Sequence, residues 1–326
     1  MHRRTLLGGS LGLSLLGASA ARSQGAALPE GNLRIIFGYP PGGAGDFTAR
    51  LVAEPAGRAL GRTVIVVNQP GATGLVAIDA LRRAAPDGAT IAMMPMTGAV
   101  LMPMVNERAR FDALTDFDPV AHAVSYSLGF ASAPGLPIKT WADFLAWAKA
   151  NPQSVSYGVS GLGSISHLFG AMMQQVLGIE MQVVPFRGGA DLNNAVMGGH
   201  VPVGIGVTSD FAAPHKDGRM RVLAVSSRQR DLSVPEAPTF VELGQPELVS
   251  EPWFAFFAPR GTPEPVVMAW NRAIDGALQD PTVRDKLVRS GFVVGGGSPA
   301  DLRRRIAEDK ARWQPVVTRS GVKMDG

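Results

Sequence analysis

The sequence predicts an α/β protein built as two doubly wound domains, and three observations carry that prediction. Short apolar runs alternate with helix-patterned stretches from Leu33 onward. The alternation comes as two strand–helix series, one before and one after Gly129. From Thr262 onward, three helix patterns follow one another with little strand signal between them.

In the first series, Leu33–Phe37 (LRIIF) is an apolar run suited to a buried parallel strand. Asp46 then reads as the N-cap of a helix whose Phe47, Leu51 and Val52 share a face, ended by Gly61. Pro55 lies inside that helix and predicts a kink. Residues 63–67 predict the next strand, NQPGATG a turn, 75–85 a helix, Pro86-Asp87-Gly88 a second turn and 90–94 a third strand. In the second series, Thr140 and Asp143 form a capping pair for a helix with Trp141, Phe144, Leu145 and Ala148 on one side. Residues 155–157 predict a strand and Ile165–Leu177 a helix stopped by Gly178, followed by strands at 181–184, 201–207 and 221–225. In the tail, Thr262-Pro263, Asp280-Pro281 and Ser298-Pro299 each place a cap residue before a proline at the first helical position. Three such helices cannot form a third α/β domain, so they are expected to return over the first sheet. The expected organisation is one discontinuous domain of 28–127 plus 249–326 and a second of 128–248.

Composition narrows the classes of function. The 326 residues are 46% hydrophobic and 18% charged, a globular balance that excludes disorder, and 39 glycines with 25 prolines point to short elements joined by shaped loops. The absence of cysteine excludes disulfides, thiolate catalysis, thiolate metal sites and a lipid-bearing cysteine. His2, His122, His167, His200 and His215 are scattered without ligand spacing, so no metal site is expected. The formal charge is +4, +2 without Arg3 and Arg4, and no basic stripe interleaves with aromatics, which excludes nucleic acid as a partner. The first twenty residues read as a signal peptide: Arg3-Arg4, an apolar stretch over 6–16, then Ala18-Ser19-Ala20 as a cleavage site. That stretch is too short and too rich in Gly and Ser to span about 30 Å of hydrocarbon. An exported protein cleaved near Ala20 is expected, by the general route or, given the paired arginines, the twin-arginine route.

Two Gly/Ser loops stand between a strand and a helix. The first runs from Gly38 to Asp46 (GYPPGGAGD); the second runs from Gly158 to Ser164 (GVSGLGS) and on to Ile165, Ser166 and His167. In a parallel sheet such loops lie at the carboxyl ends of strands, where ligands bind. Each enters a helix N-terminus whose amides and partial positive charge suit an anion, with glycines permitting close approach and serines adding donors. This is the pattern of a carboxylate cradle. The same residues also fit a plainer reading, in which Asp46 and Ser164 cap helices and the glycines form turns. Neither loop matches G-x-x-x-x-G-K-[ST], and G-x-G-x-x-G is absent, which argues against nucleotide binding. Ser160, Ser164 and Ser166 lie close to His167, the pairing a serine hydrolase uses, but G-x-S-x-G is missing. Trp253 fits either a cleft wall or the core, and the Met-rich stretch 93–104 reads as core.

Taken in order, RIIFGYPPGGAGD, VIVVNQPGATG, AAPDGAT, YGVSGLGSISHL, VVPFRGG, RVLAVSSRQR, VPEAPTFVELG and FFAPRGTP, with Trp313 near the end, resemble the Bug-type periplasmic solute-binding proteins of tripartite tricarboxylate transporters. The resemblance spans nearly the whole chain after the leader. It implies a type II periplasmic binding-protein fold, with two α/β domains around a ligand cleft, and a monomeric receptor without catalytic residues, cofactor or metal. It implies one ligand carboxylate held between the loops by amides, hydroxyls and waters. Tyr39, Gly42, Gly43 and Ala44 would lie on one side and Ser160, Gly163 and Ser164 on the other, with Asp46 and His167 supporting them. The implied partners are a small organic carboxylate and the membrane components of a tripartite transporter, with a membrane sensor kinase as the alternative recipient. In HVPVGIGVTSD, positions that are acidic in many members fall on Pro202 and Gly206. Gly206 cannot meet a ligand amino group, which turns the expectation away from amino acids; Asp210 is nearby but out of register.

Overall fold

The computed structural model describes residues 28–323, so the expected leader and its cleavage site at Ala20 lie outside them. From the N-terminal side, β1 (Leu33–Phe37) leads into α1 (Ala44–Leu60), β2 (Val64–Asn68), α2 (Leu75–Arg83) and β3 (Thr90–Pro95). Next come α3 (Met102–Val105) and β4 (Phe117–Ser125). Tyr126 and Ser127 carry the chain across to β5 (Leu128–Ser132), α4 (Trp141–Ala150), β6 (Ser156–Val159), α5 (Ile165–Leu177) and β7 (Gln182–Pro185). The series continues through α6 (Gly189–Met197), β8 (Val203–Val207), α7 (Thr208–Lys216) and β9 (Arg221–Val225). Residues 226–252 bring the chain back to β10 (Trp253–Pro259), α8 (Glu264–Gln279), α9 (Pro281–Arg289), β11 (Val293–Val294) and α10 (Pro299–Ser320).

Two mixed sheets result, one ordered β11-β4-β10-β3-β1-β2 and the other β7-β6-β8-β5-β9. β1 lies parallel between β2 and β3, and β6 lies parallel between β7 and β8. β10 runs antiparallel to β3 and β4, and β5 antiparallel to β8 and β9. β4, β5 and β10 carry no sequence prediction, although β10 is buried along its whole length. In β4 the alternation is broken by Asp118, Pro119 and His122; Pro119 is tolerated because it falls beside a register shift opposite Phe257.

Trp253, Trp270 and Trp313 are fully buried, and full burial of a large apolar side chain contributes roughly 1.5–3 kcal/mol relative to exposure. Trp253 therefore belongs to the core, its Nε1 donating to Asp309 Oδ2 at 2.7 Å. Met93, Met94, Met96 and Met102 are likewise core. The tail returns to the first sheet: β10 and β11 join it, α8 and α10 pack on β4, and α1 packs on α8.

Most local signals give the predicted ends. Thr140 with Asp143 and Ser298 with Asp301 form complete capping boxes, and Asp280 accepts the amides of Thr282 and Val283. Two expectations change. Asp46 does not cap α1, which begins two residues earlier behind Gly43. α8 begins at Glu264 with Pro263 in the cap position, while Thr262 Oγ1 donates to the Pro259 carbonyl at 2.7 Å. α1 continues as one helix through Pro55.

Candidate ligand-binding site

The first loop leaves the end of β1 and enters α1 with no side-chain cap on Gly43, so the helix presents its opening amides to whatever lies beyond. Gly42, Gly43 and Ala44 are exposed there. Gly42 holds φ +92°, a conformation that requires glycine, whereas Gly43, at φ −82° and ψ 171°, is ordinary extended backbone. Asp46 is nearly fully buried beneath the loop. Its carboxylate accepts from the Gly42 amide (2.9 Å), Asn68 Nδ2 (2.9 Å) and Arg50 Nε (3.0 Å). Asn68 Nδ2 also donates to the Tyr39 carbonyl (3.0 Å), and Asn68 Oδ1 accepts from Arg50 Nη2 (2.7 Å). Burial raises the Asp46 carboxyl, but the bonds from Arg50, Gly42 and Asn68 outweigh it and hold the group below the usual carboxylate range. Tyr39 packs against Phe37 with ring centroids 5.4 Å apart, and burial pushes its phenol up to about 12.

The second loop leaves β6 and enters α5, where Ser164 is the N-cap and accepts the His167 amide at 3.3 Å. The Ser164 hydroxyl proton goes to the Gly161 carbonyl (2.7 Å), and Ser166 Oγ lies 2.9 Å from Ser164 Oγ. Ser164 is thus committed to shaping the loop, while the Ser160 hydroxyl has Ser166 Oγ, at 3.3 Å, as its one partner among the described residues. Gly163, at φ +69°, donates its amide to His167 Nδ1 at 3.0 Å. This bond places the ring proton on Nε2, and burial lowers the imidazole's basicity, so His167 stands neutral and holds the loop. No serine hydroxyl bonds the His167 ring among the described residues.

The predicted residues therefore gather as two groups, Tyr39 to Asp46 at the end of the first sheet and Ser160 to His167 at the end of the second. Three contributors have no counterpart in the sequence prediction. Asn68 and Arg50 complete the first group, and Asn68 could have been found because it ends the strand paired with β1, opposite Phe37. Tyr126, in the crossover, is buried between Phe254 (5.6 Å) and Phe292 (6.4 Å). Burial first, and then the Tyr39 and Asp210 charges, raise its phenol. Asp210 lies in the first turn of α7, and partial desolvation of its carboxyl pushes it up.

A family model described as the tripartite tricarboxylate transporter family receptor matches residues 48–322. The chain belongs to this family. The receptor is similar to protein BugT of Bordetella pertussis, 31% identical over 301 residues that cover 91% of each chain. Among solved structures it resembles R. palustris Rpa4515 with adipate, at 28% identity and TM-score 0.80 over 90% of this chain and 99% of that one. It also resembles MatC from Rhodopseudomonas palustris with bound malate, at 26% identity and TM-score 0.77 over 89% and 100%. The receptor is a solute-binding protein of the Bug type, a family of periplasmic binding proteins. At Gly206 an added Cβ would lie 2.8 Å from the Phe211 ring, so β8 has no room for an acid at that position.

Proposed function

We propose that the receptor captures a small organic carboxylate outside the cytoplasm and passes it to the membrane components of a tripartite transporter. One carboxylate group sits between Gly42, Gly43 and Ala44 of the first loop and Ser160 of the second, with lobes of 28–127 plus 249–326 and 128–248 closing on it. The observation that carries this reading is the pair of strand-to-helix loops, each braced from behind by its own side chains so that amides and a hydroxyl face outward. Neighbours solved with malate and with adipate support the ligand class. The receptor binds without turnover, because His167 Nδ1 is occupied by the Gly163 amide and the ring serves the loop.

A thermal-shift screen of mono-, di- and tricarboxylates finds the acid, and calorimetry on two variants then separates contact from support. A hydroxyl-to-carboxylate bond is worth about 1.5 kcal/mol or more, so Ser160→Ala is expected to weaken binding roughly tenfold at unchanged stability. Ser164→Ala removes a helix cap and is expected to cost about 1 kcal/mol of stability. If Ser160→Ala binds as tightly as the wild type, the second loop does not touch the carboxylate.

A further inference from the structure

We propose that the protein carries a second small-molecule site, behind the crossover, that takes an organic anion with an apolar body. A cavity of ≈ 610 Å³ lies there, within the range of small-molecule sites. It is lined by the β4 and β11 end of the first sheet, by the segment after β9 and by α9. The cradle loops follow β1 and β6, which occupy the other half of each sheet. The two sites therefore use different strands and share the Tyr126–Ser127 crossover as a wall.

Arg228, Arg230, Arg284 and Arg305 line this cavity against Asp231 and Glu251, which leaves its lining net positive. The Arg228 and Arg284 side chains are exposed and bond no carboxylate among the described residues. Arg305 Nη2 donates to two neutral acceptors, Ser125 Oγ (3.0 Å) and the Glu251 carbonyl (3.1 Å). Both acidic groups beside them already accept bonds: Asp231 from Ser127 Oγ (2.5 Å) and from Ser233 N (2.9 Å) and Oγ (2.6 Å), and Glu251 Oε1 from the Arg228 amide (3.1 Å). Guanidinium groups left in this state favour a carboxylate or another oxyanion.

The apolar part of the ligand is called for by the walls. Leu232 is 75% exposed and Val293 65%, the two most exposed large hydrophobic side chains of the described residues, and both line this cavity. Leu232 comes from the segment after β9 and Val293 from β11, so two separate elements each offer the cavity an apolar side chain. A ligand that covered them would remove both from water.

The test is an amide NMR titration with octanoate, using inorganic phosphate and 1-octanol as probes that each carry one half of its chemistry. Octanoate is expected to shift residues 228–232 and 291–295 saturably, with phosphate and octanol at least about tenfold weaker. The double variant R228A/R284A and the single variant Leu232→Asp are each expected to weaken octanoate about tenfold while unperturbed amides report an intact fold. All three side chains are exposed, and if one variant fails to fold the other decides. Shifts confined to the cradle loops, phosphate binding as tightly as octanoate, or folded variants that bind like the wild type would each overturn the proposal.

Discussion

Gly42→Val is expected to weaken carboxylate binding by about a hundredfold while leaving the core intact. At φ +92° a β-branched side chain costs on the order of 1–3 kcal/mol, and each 1.4 kcal/mol is about one decade of affinity. An added Cβ meets nothing within 4 Å, so the strain falls on the loop and not on packing. A change of φ that relieves it reorients the peptide units on either side of Gly42, whose amide is bonded to Asp46 at 2.9 Å. Gly43→Ala is the control. Its extended backbone accepts any residue and its Cβ meets no protein atom within 4 Å, so the loop keeps its shape and affinity should fall far less than in Gly42→Val. Calorimetry with the acid from the screen, alongside thermal unfolding of each variant, reads the difference. Equal affinity in Gly42→Val would mean that the first loop does not shape the site.

The second large effect is a loss of stability on mild acidification. His122 is a partly buried residue of β4, its Nε2 3.0 Å from Ser125 Oγ, and burial first and the nearby Arg305 second lower its pKa to about 3. In the unfolded chain the same imidazole takes up a proton near pH 6.5. Between those values the unfolded state holds the extra proton, so stability is complete above pH 6.5 and falls as the pH drops towards 3. The loss is about 1.4 kcal/mol per pH unit for this one group. His167, also lowered by burial, adds in the same direction. The lowered carboxyls of Asp46 and Asp112 begin to cost stability only below about pH 4, which leaves pH 6.5 to 4.5 to the histidines. The raised carboxyls of Asp210 and Asp309 act the opposite way, equally in wild type and variant. Urea unfolding across this range should show a slope for the wild type that His122→Asn flattens by about one proton. An unchanged slope in the variant would place the acid sensitivity elsewhere.

What could be read from the sequence was local. Thr140, Ser164, Asp280 and Ser298 cap helices because the acceptor and the amides it serves lie within three residues. The cradle loops were legible for a similar reason, since a glycine-rich turn between a strand and a helix forms its shape from its own backbone. Asp46 shows where that stops. Its place in the motif was plain, but its task depends on Asn68, which arrives from β2, and on Arg50 one turn along α1. The requirement for glycine fell on Gly42 and not on Gly43, a distinction of dihedral angle that residue type does not carry. β4, β5 and β10 escaped because crossing strands are specified by distant partners, and Pro119 disguises β4 behind a register shift. Tyr126 escaped with them.

The central claim is that one carboxylate is held by both loops at once. A crystal structure of the receptor with the acid found by screening tests this most directly. The account predicts carboxylate oxygens within about 3.2 Å of amides in the 43–46 stretch and of the Ser160 hydroxyl. A carboxylate bound by one loop alone, or seated away from both, would contradict it.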